Sequence, residues 1–249
     1  MSKLWLSPYE PVEVDGTTLP ALVSAHADER PALVDGTSSR TVSYADLAAR
    51  VDSVAAGLAA RGFRPGDGLA VWAPNQPAWA CFAPRRDGRR WLVTGINPLA
   101  TDREAATQIT DARTTILATT SDLAPRARTL PGLREVLVLD DTPPRTPPRG
   151  LGAAPAVDPE AIALLPYSSG TTGLPKGVVL THANLVTSVR QLGRHLRPTR
   201  RDVALALAPF SHVMGFVVTC ALPLAAGATV VTMARFDLEA CWRSSSGTG

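Results

Sequence analysis

Leu47, Val51, Val54 and Leu58 recur at spacings of four, three and four residues. Side chains so spaced share one face of a helix. Ser43 stands just ahead of this run with Asp46 three positions on, a capping-box pattern. Gly62 stops the helix, Pro65-Gly66-Asp67 turns the chain, and residues 69–72 read as a buried strand. Thr101 and Glu104 form a second capping box, opening a helix that runs to about Asp111. Residues 115–118, 135–139, 161–165, 178–180 and 203–207 read as further strands. Thr181 is placed to cap a helix that carries Leu185, Val186, Val189 and Leu192 on one face. Strands and helices alternate, which predicts an α/β fold with a largely parallel sheet. Residues 142–159 are rich in Pro, Gly and Ala and have no apolar period, so they read as a surface connection between two subdomains. No internal repeat is visible.

Composition narrows the classes. At 45% hydrophobic and 19% charged, the chain is globular rather than disordered. Its 249 residues allow one large domain or two small ones. The net charge of +3 comes from scattered basic residues, which argues against a nucleic-acid surface. Cys81, Cys220 and Cys241 are odd in number and widely spaced, and no CxxC occurs, which argues against a disulfide framework or a zinc site. Reduced thiols and a cytoplasmic setting follow as expectations. The N-terminus carries no signal-peptide pattern, and no run of about 18 apolar residues could span a membrane.

The chemistry concentrates between two strand patterns. Residues 168–177 read Ser168-Ser169-Gly170-Thr171-Thr172-Gly173-Leu174-Pro175-Lys176-Gly177. Glycines let backbone N–H groups close around an anion, the four hydroxyls add donors, and Lys176 adds a mobile charge. The bland alternative is a flexible Ser/Gly surface loop, but a linker does not normally sit between two core strands. Pro175 before Lys176 and Gly177 after it exclude a Walker A loop. No GxSxG elbow is present, which leaves a serine hydrolase without support.

This segment, continued by Val178-Val179-Leu180-Thr181-His182-Ala183-Asn184-Leu185-Val186, resembles the AMP-binding signature of the adenylate-forming superfamily. That group includes acyl-CoA synthetases, 4-coumarate–CoA ligases, firefly luciferase and nonribosomal peptide adenylation domains. Gly95-Ile96-Asn97-Pro98-Leu99, Pro209-Phe210-Ser211-His212-Val213-Met214-Gly215-Phe216, and Gly227-Ala228-Thr229-Val230-Val231 with Arg235-Phe236-Asp237 resemble three further segments of the family. The resemblance runs from about Tyr44 to Ala240 and favours the CoA-ligase and luciferase branch. It implies the N-terminal part of that superfamily's large domain, built from parallel-sheet αβ subdomains, with ATP, Mg²⁺, CoA and a small-molecule carboxylic acid as partners. Ser168, Ser169, Gly170, Thr171, Thr172, Gly173, Lys176 and Gly177 would then hold the ATP phosphates. His212 would line the acid pocket, joined by Met214, Gly215 and Phe216, for which ordinary core packing is the alternative. His182 and Asn184 match the signature as capping and packing residues.

The family's Tyr-Gly-x-Thr-Glu motif, ribose-binding Asp and late catalytic Lys do not occur in these 249 residues. The resemblance therefore implies an incomplete, inactive piece of an acid–CoA ligase. The alternative is a non-catalytic remnant that binds a nucleotide or a partner. Residues 241–249 depart from the family. One permitted encoding of them, moved by a single restored base, spells the start of an amphipathic helix, so a frameshifted, non-native tail is expected there. Residues 83–90 read Ala83-Pro84-Arg85-Arg86-Asp87-Gly88-Arg89-Arg90 where the family has an apolar helix. Paired frame slips and a divergent exposed helix explain this equally well.

Overall fold

The structure is a computed structural model that describes residues 8–23, 25–64, 66–82, 92–139, 158–169, 175–235, 237 and 239. The segment 83–90, most of the 142–159 connection, residues 170–174 and the 241–249 tail lie outside the described residues.

The strands, in chain order, are β1 (Pro31–Asp35), β2 (Thr41–Ser43), β3 (Gly68–Trp72), β4 (Leu92–Ile96), β5 (Thr114–Thr119), β6 (Glu135–Val138), β7 (Ile162–Leu164), β8 (Tyr167–Ser169), β9 (Pro175–Gly177), β10 (Leu180–Thr181), β11 (Val203–Ala206) and β12 (Thr229–Thr232). They form a six-stranded sheet of order β10-β7-β4-β3-β5-β6, a four-stranded sheet of order β11-β12-β1-β2, and the two-stranded ribbon β8-β9. In the large sheet β7, β4, β3, β5 and β6 run parallel, and β10 joins antiparallel to β7. In the small sheet β11, β12 and β1 run parallel, with β2 antiparallel at the edge.

The period of two in β3 explains the layering. Leu69 and Val71 point into one core, shared with Leu47, Val51, Ala55 and Leu58 of the helix Tyr44–Ala60. Ala70 and Trp72 point into a second core, closed by Ala105 and Ile109 of the helix Asp102–Asp111. A parallel strand covered on both faces loses its polar alternation, which is why residues 69–72 read as a continuous apolar run. The larger core also takes in Leu33 and Val230 of the small sheet, so both sheets share it.

The helix starts follow local chemistry. Ser43 Oγ accepts from the Asp46 N–H at 3.1 Å. Thr101 with Glu104 and Thr181 with Asn184 make full reciprocal boxes. The strand expected at residues 178–180 is displaced. Residues 175–177 pair across the loop with β8, and the next strand begins only at Leu180. Between them Val178 and Val179 are 44% and 55% exposed. The chain must leave the ribbon there before it can join β7, and an apolar run carries no sign of which partner it pairs with.

Candidate functional site

The site lies at the carboxyl ends of parallel strands, where loops gather in open α/β sheets. Asn97 follows β4, the segment Pro166 to Ser168 follows β7, and Pro209 to His212 follow β11. Ser168 and Lys176 are cross-strand partners in the β8-β9 ribbon, and both are exposed. Cross-strand partners project from one face. The ribbon thus offers a hydroxyl and an ammonium side by side at the base of the loop, a donor set suited to an anion. Gly177 closes the ribbon opposite Tyr167. Gly170, Thr171, Thr172 and Gly173 lie outside the described residues, and Ser169 is described by its backbone alone.

His212 is the N-cap of the short helix Val213–Phe216, and its Nδ1 accepts the Met214 N–H at 3.2 Å. A neutral imidazole that accepts at Nδ1 carries its proton on Nε2, so Nε2 is left as a donor. The preceding loop is held by Asn75, a residue 7% exposed. Asn75 Nδ2 donates to the carbonyls of Ala206 at 2.9 Å and Ala208 at 2.8 Å, and its Oδ1 accepts the Phe210 N–H at 2.8 Å. Phe210 in turn is fully buried, edge-on to Trp79.

Two cavities meet at these residues. The smaller, about 220 Å³, is walled by Leu180, Leu185, Val213 and Val217, with Asn184 and Ser188 as polar groups. The larger, about 480 Å³, is walled by Asn97, Glu104, Gln108, Asp111 and Ser211. Tyr167, Ser168 and His212 line both.

The other expected pocket residues sit elsewhere. Met214 is 56% exposed and Phe216 is buried against Trp79, and neither lines these cavities. Gly215 packs backbone on backbone: a Cβ there would lie 2.1 Å from the Pro209 carbonyl oxygen. The wall comes instead from Val213 and Val217, four residues apart and so on one helical face. Ordinary packing, the alternative given for Met214, Gly215 and Phe216, describes Gly215 and Phe216. Asn75, Asn97, Gln108, Asp111 and Tyr167 were also missed as site residues. Asn97 fell within a recognised segment and Tyr167 adjoins Ser168 in the sequence, whereas the positions of Asn75, Gln108 and Asp111 depend on distant contacts.

His182 belongs to the packing. It is 1% exposed, and its Nδ1 accepts the Leu19 N–H at 3.4 Å. Burial draws its pKa down to about 4, so the ring is neutral near pH 7. Asn184 caps its helix and also borders the smaller cavity. Cys81 and Cys220 are buried, and desolvation pushes both thiols up to about 12, which removes them as nucleophiles. Among the described residues no three His, Cys, Asp or Glu side chains are grouped to hold a metal ion. No helix there is long and apolar enough to cross a membrane.

Residues 22–244 match the model of the AMP-binding enzyme family. The chain belongs to that family. It is 32% identical over 226 residues to 4-coumarate-CoA ligase 1 of Narcissus pseudonarcissus, an alignment covering 84% of this chain and 41% of that protein. The chain therefore spans less than half the length of this relative. In fold it is similar to the inhibitor-bound N-terminal domain of FACL13 from Mycobacterium tuberculosis, with a TM-score of 0.79 at 22% identity, covering 90% of this chain and 59% of that one. It is also similar to ATP-bound MatB from Rhodopseudomonas palustris, with a TM-score of 0.74 at 24% identity, covering 88% and 46% of the two chains.

Proposed function

We propose that this family member contributes the phosphate grip and part of the acyl pocket of an ATP-dependent carboxylic acid–CoA ligase. The observation that carries this reading is that Ser168, which borders both cavities together with His212, is the cross-strand partner of Lys176. The reaction has two steps. A carboxylate oxygen attacks the α-phosphorus of ATP, the bond to the bridging oxygen breaks, and pyrophosphate leaves. The CoA thiol then attacks the acyl carbonyl, and AMP leaves.

In this reading Ser168 and Lys176 hold the phosphates where negative charge collects. His212, with its Nε2 proton, donates to an oxygen of the bound acid. The smaller, largely apolar cavity takes the hydrophobic body of the acid. Mg²⁺ would travel with the nucleotide, held mainly by phosphate oxygens and water. We propose cytoplasmic action.

Equilibrium titration with Mg·ATP tests the grip. Replacing Lys176 by Ala removes a charged hydrogen bond worth about 1.5–3 kcal/mol, so affinity should fall at least about tenfold. Equal affinity of wild type and K176A would contradict the assignment. By itself the 249-residue polypeptide is expected to show no acid-dependent ATP–pyrophosphate exchange. Exchange at an enzymatic rate would show that these residues suffice for catalysis and would overturn that expectation.

A further inference from the structure

Tyr167 opens β8, immediately before Ser168. Its hydroxyl donates to Asp111 Oδ2. Asp111 is the last residue of the helix Asp102–Asp111, which is firmly seated: Ala105 and Ile109 are fully buried, and Gln108 Nε2 donates to Thr94 Oγ1 and to the Gly95 carbonyl, both at 2.8 Å. The Tyr167 hydrogen bond therefore ties the ribbon to a packed element of the large sheet rather than to another loop.

A second contact fixes the ring. Tyr167 and Gly177 are registered partners, and a Cβ on Gly177 would lie 3.2 Å from Tyr167 Cζ and 3.2 Å from Leu165. The ring lies against the place where Gly177 has no side chain. The ring and hydroxyl together thus hold both strands of the ribbon, one on each side of the phosphate loop. Burial first, and then the Asp111 carboxylate, raise the Tyr167 pKa above the ordinary phenol range. The hydroxyl accordingly keeps its proton and remains a donor.

We propose that Tyr167 and Asp111 form a strut that sets where Ser168 and Lys176 meet the nucleotide phosphates. This rests on the phosphate reading given above, and both are positioning residues that act through the ribbon.

The test uses the full 249-residue chain and two readouts, Mg·ATP affinity and amide hydrogen exchange at Ser168, Lys176 and Gly177 without nucleotide. Y167F removes the hydroxyl and keeps the ring, D111A removes the acceptor, and D111N keeps an amide oxygen that can accept. Y167F and D111A should each weaken ATP binding roughly threefold to tenfold, the range of one hydrogen bond. The double variant Y167F/D111A should be no weaker than either single one, because both remove the same contact. D111N should recover most of the loss. In Y167F and D111A exchange at the three amides should accelerate at least about threefold, while the thermal midpoint of the whole chain stays within a few degrees.

Additive losses in the double variant would overturn the strut, and so would unchanged exchange in Y167F. A wild-type chain that fails to bind ATP would overturn the phosphate reading. The exchange experiment then decides the strut by itself.

Discussion

Two histidines of one chain are set by different surroundings, one by its own helix start and one by a core remote in sequence. His212 gains an assigned tautomer because its Nδ1 caps a helix, which leaves a donor toward the cavities. His182 lies buried, and that burial works against charging it. The folded pKa of His182, about 4, lies below its ordinary value of 6.5. The unfolded chain therefore takes up a proton first as pH falls. The stability that comes from keeping this ring neutral is fully present above about pH 6.5 and is lost progressively between there and pH 4. A shift of this size corresponds to about 3 kcal/mol. Urea midpoints measured from pH 7.5 to 4.5 should fall less steeply in H182Q than in wild type. Identical slopes would show that another group governs acid stability. The sequence alone places His182 among capping and packing residues of the signature. It could not see the loss of solvent that sets the pKa, because Leu19 and the surrounding core are remote in sequence.

At the scale of elements, what is local was legible and what is paired at a distance was not. The helices at 44–60, 102–111 and 182–196 follow from caps and apolar spacing within a few residues of one another. The buried strand at 69–72 could be read from its apolar run. The ribbon β8-β9 could not, since its pairing depends on which partner each three-residue stretch finds. The role of Asn75 was also hidden, since it acts across 131 to 135 positions of chain to fix the end of β11 and Phe210. Replacing Asn75 by Ala would leave a buried N–H and two carbonyls without their present partner. At about 1–3 kcal/mol for each buried group left unsatisfied, the loss should be at least about 3 kcal/mol by urea unfolding. A change below about 1 kcal/mol would mean that the loop before His212 is held by its apolar contacts, chiefly Phe210 against Trp79.

At the scale of the molecule, two sheets share one core, and the loops that leave their parallel strands converge on Ser168, Tyr167 and His212. The family could be read from the phosphate segment and from the Pro209–His212 segment because close approach to a ligand or to backbone restricts residue choice. Gly215 illustrates this, with no room for a side chain beside the Pro209 carbonyl. The pocket lining was less legible, because it is set by which helical face turns inward. Val213 and Val217 line the smaller cavity.

The most direct test of the account is to map Mg·ATP onto the isotope-labelled 249-residue chain by NMR titration. The expected result is saturable shifts at the amides of Ser168, Lys176 and Gly177 and at the His212 ring, lost together in K176A. Saturable shifts confined to other surfaces, with these four unmoved, would contradict the assignment of the nucleotide site to the β8-β9 ribbon.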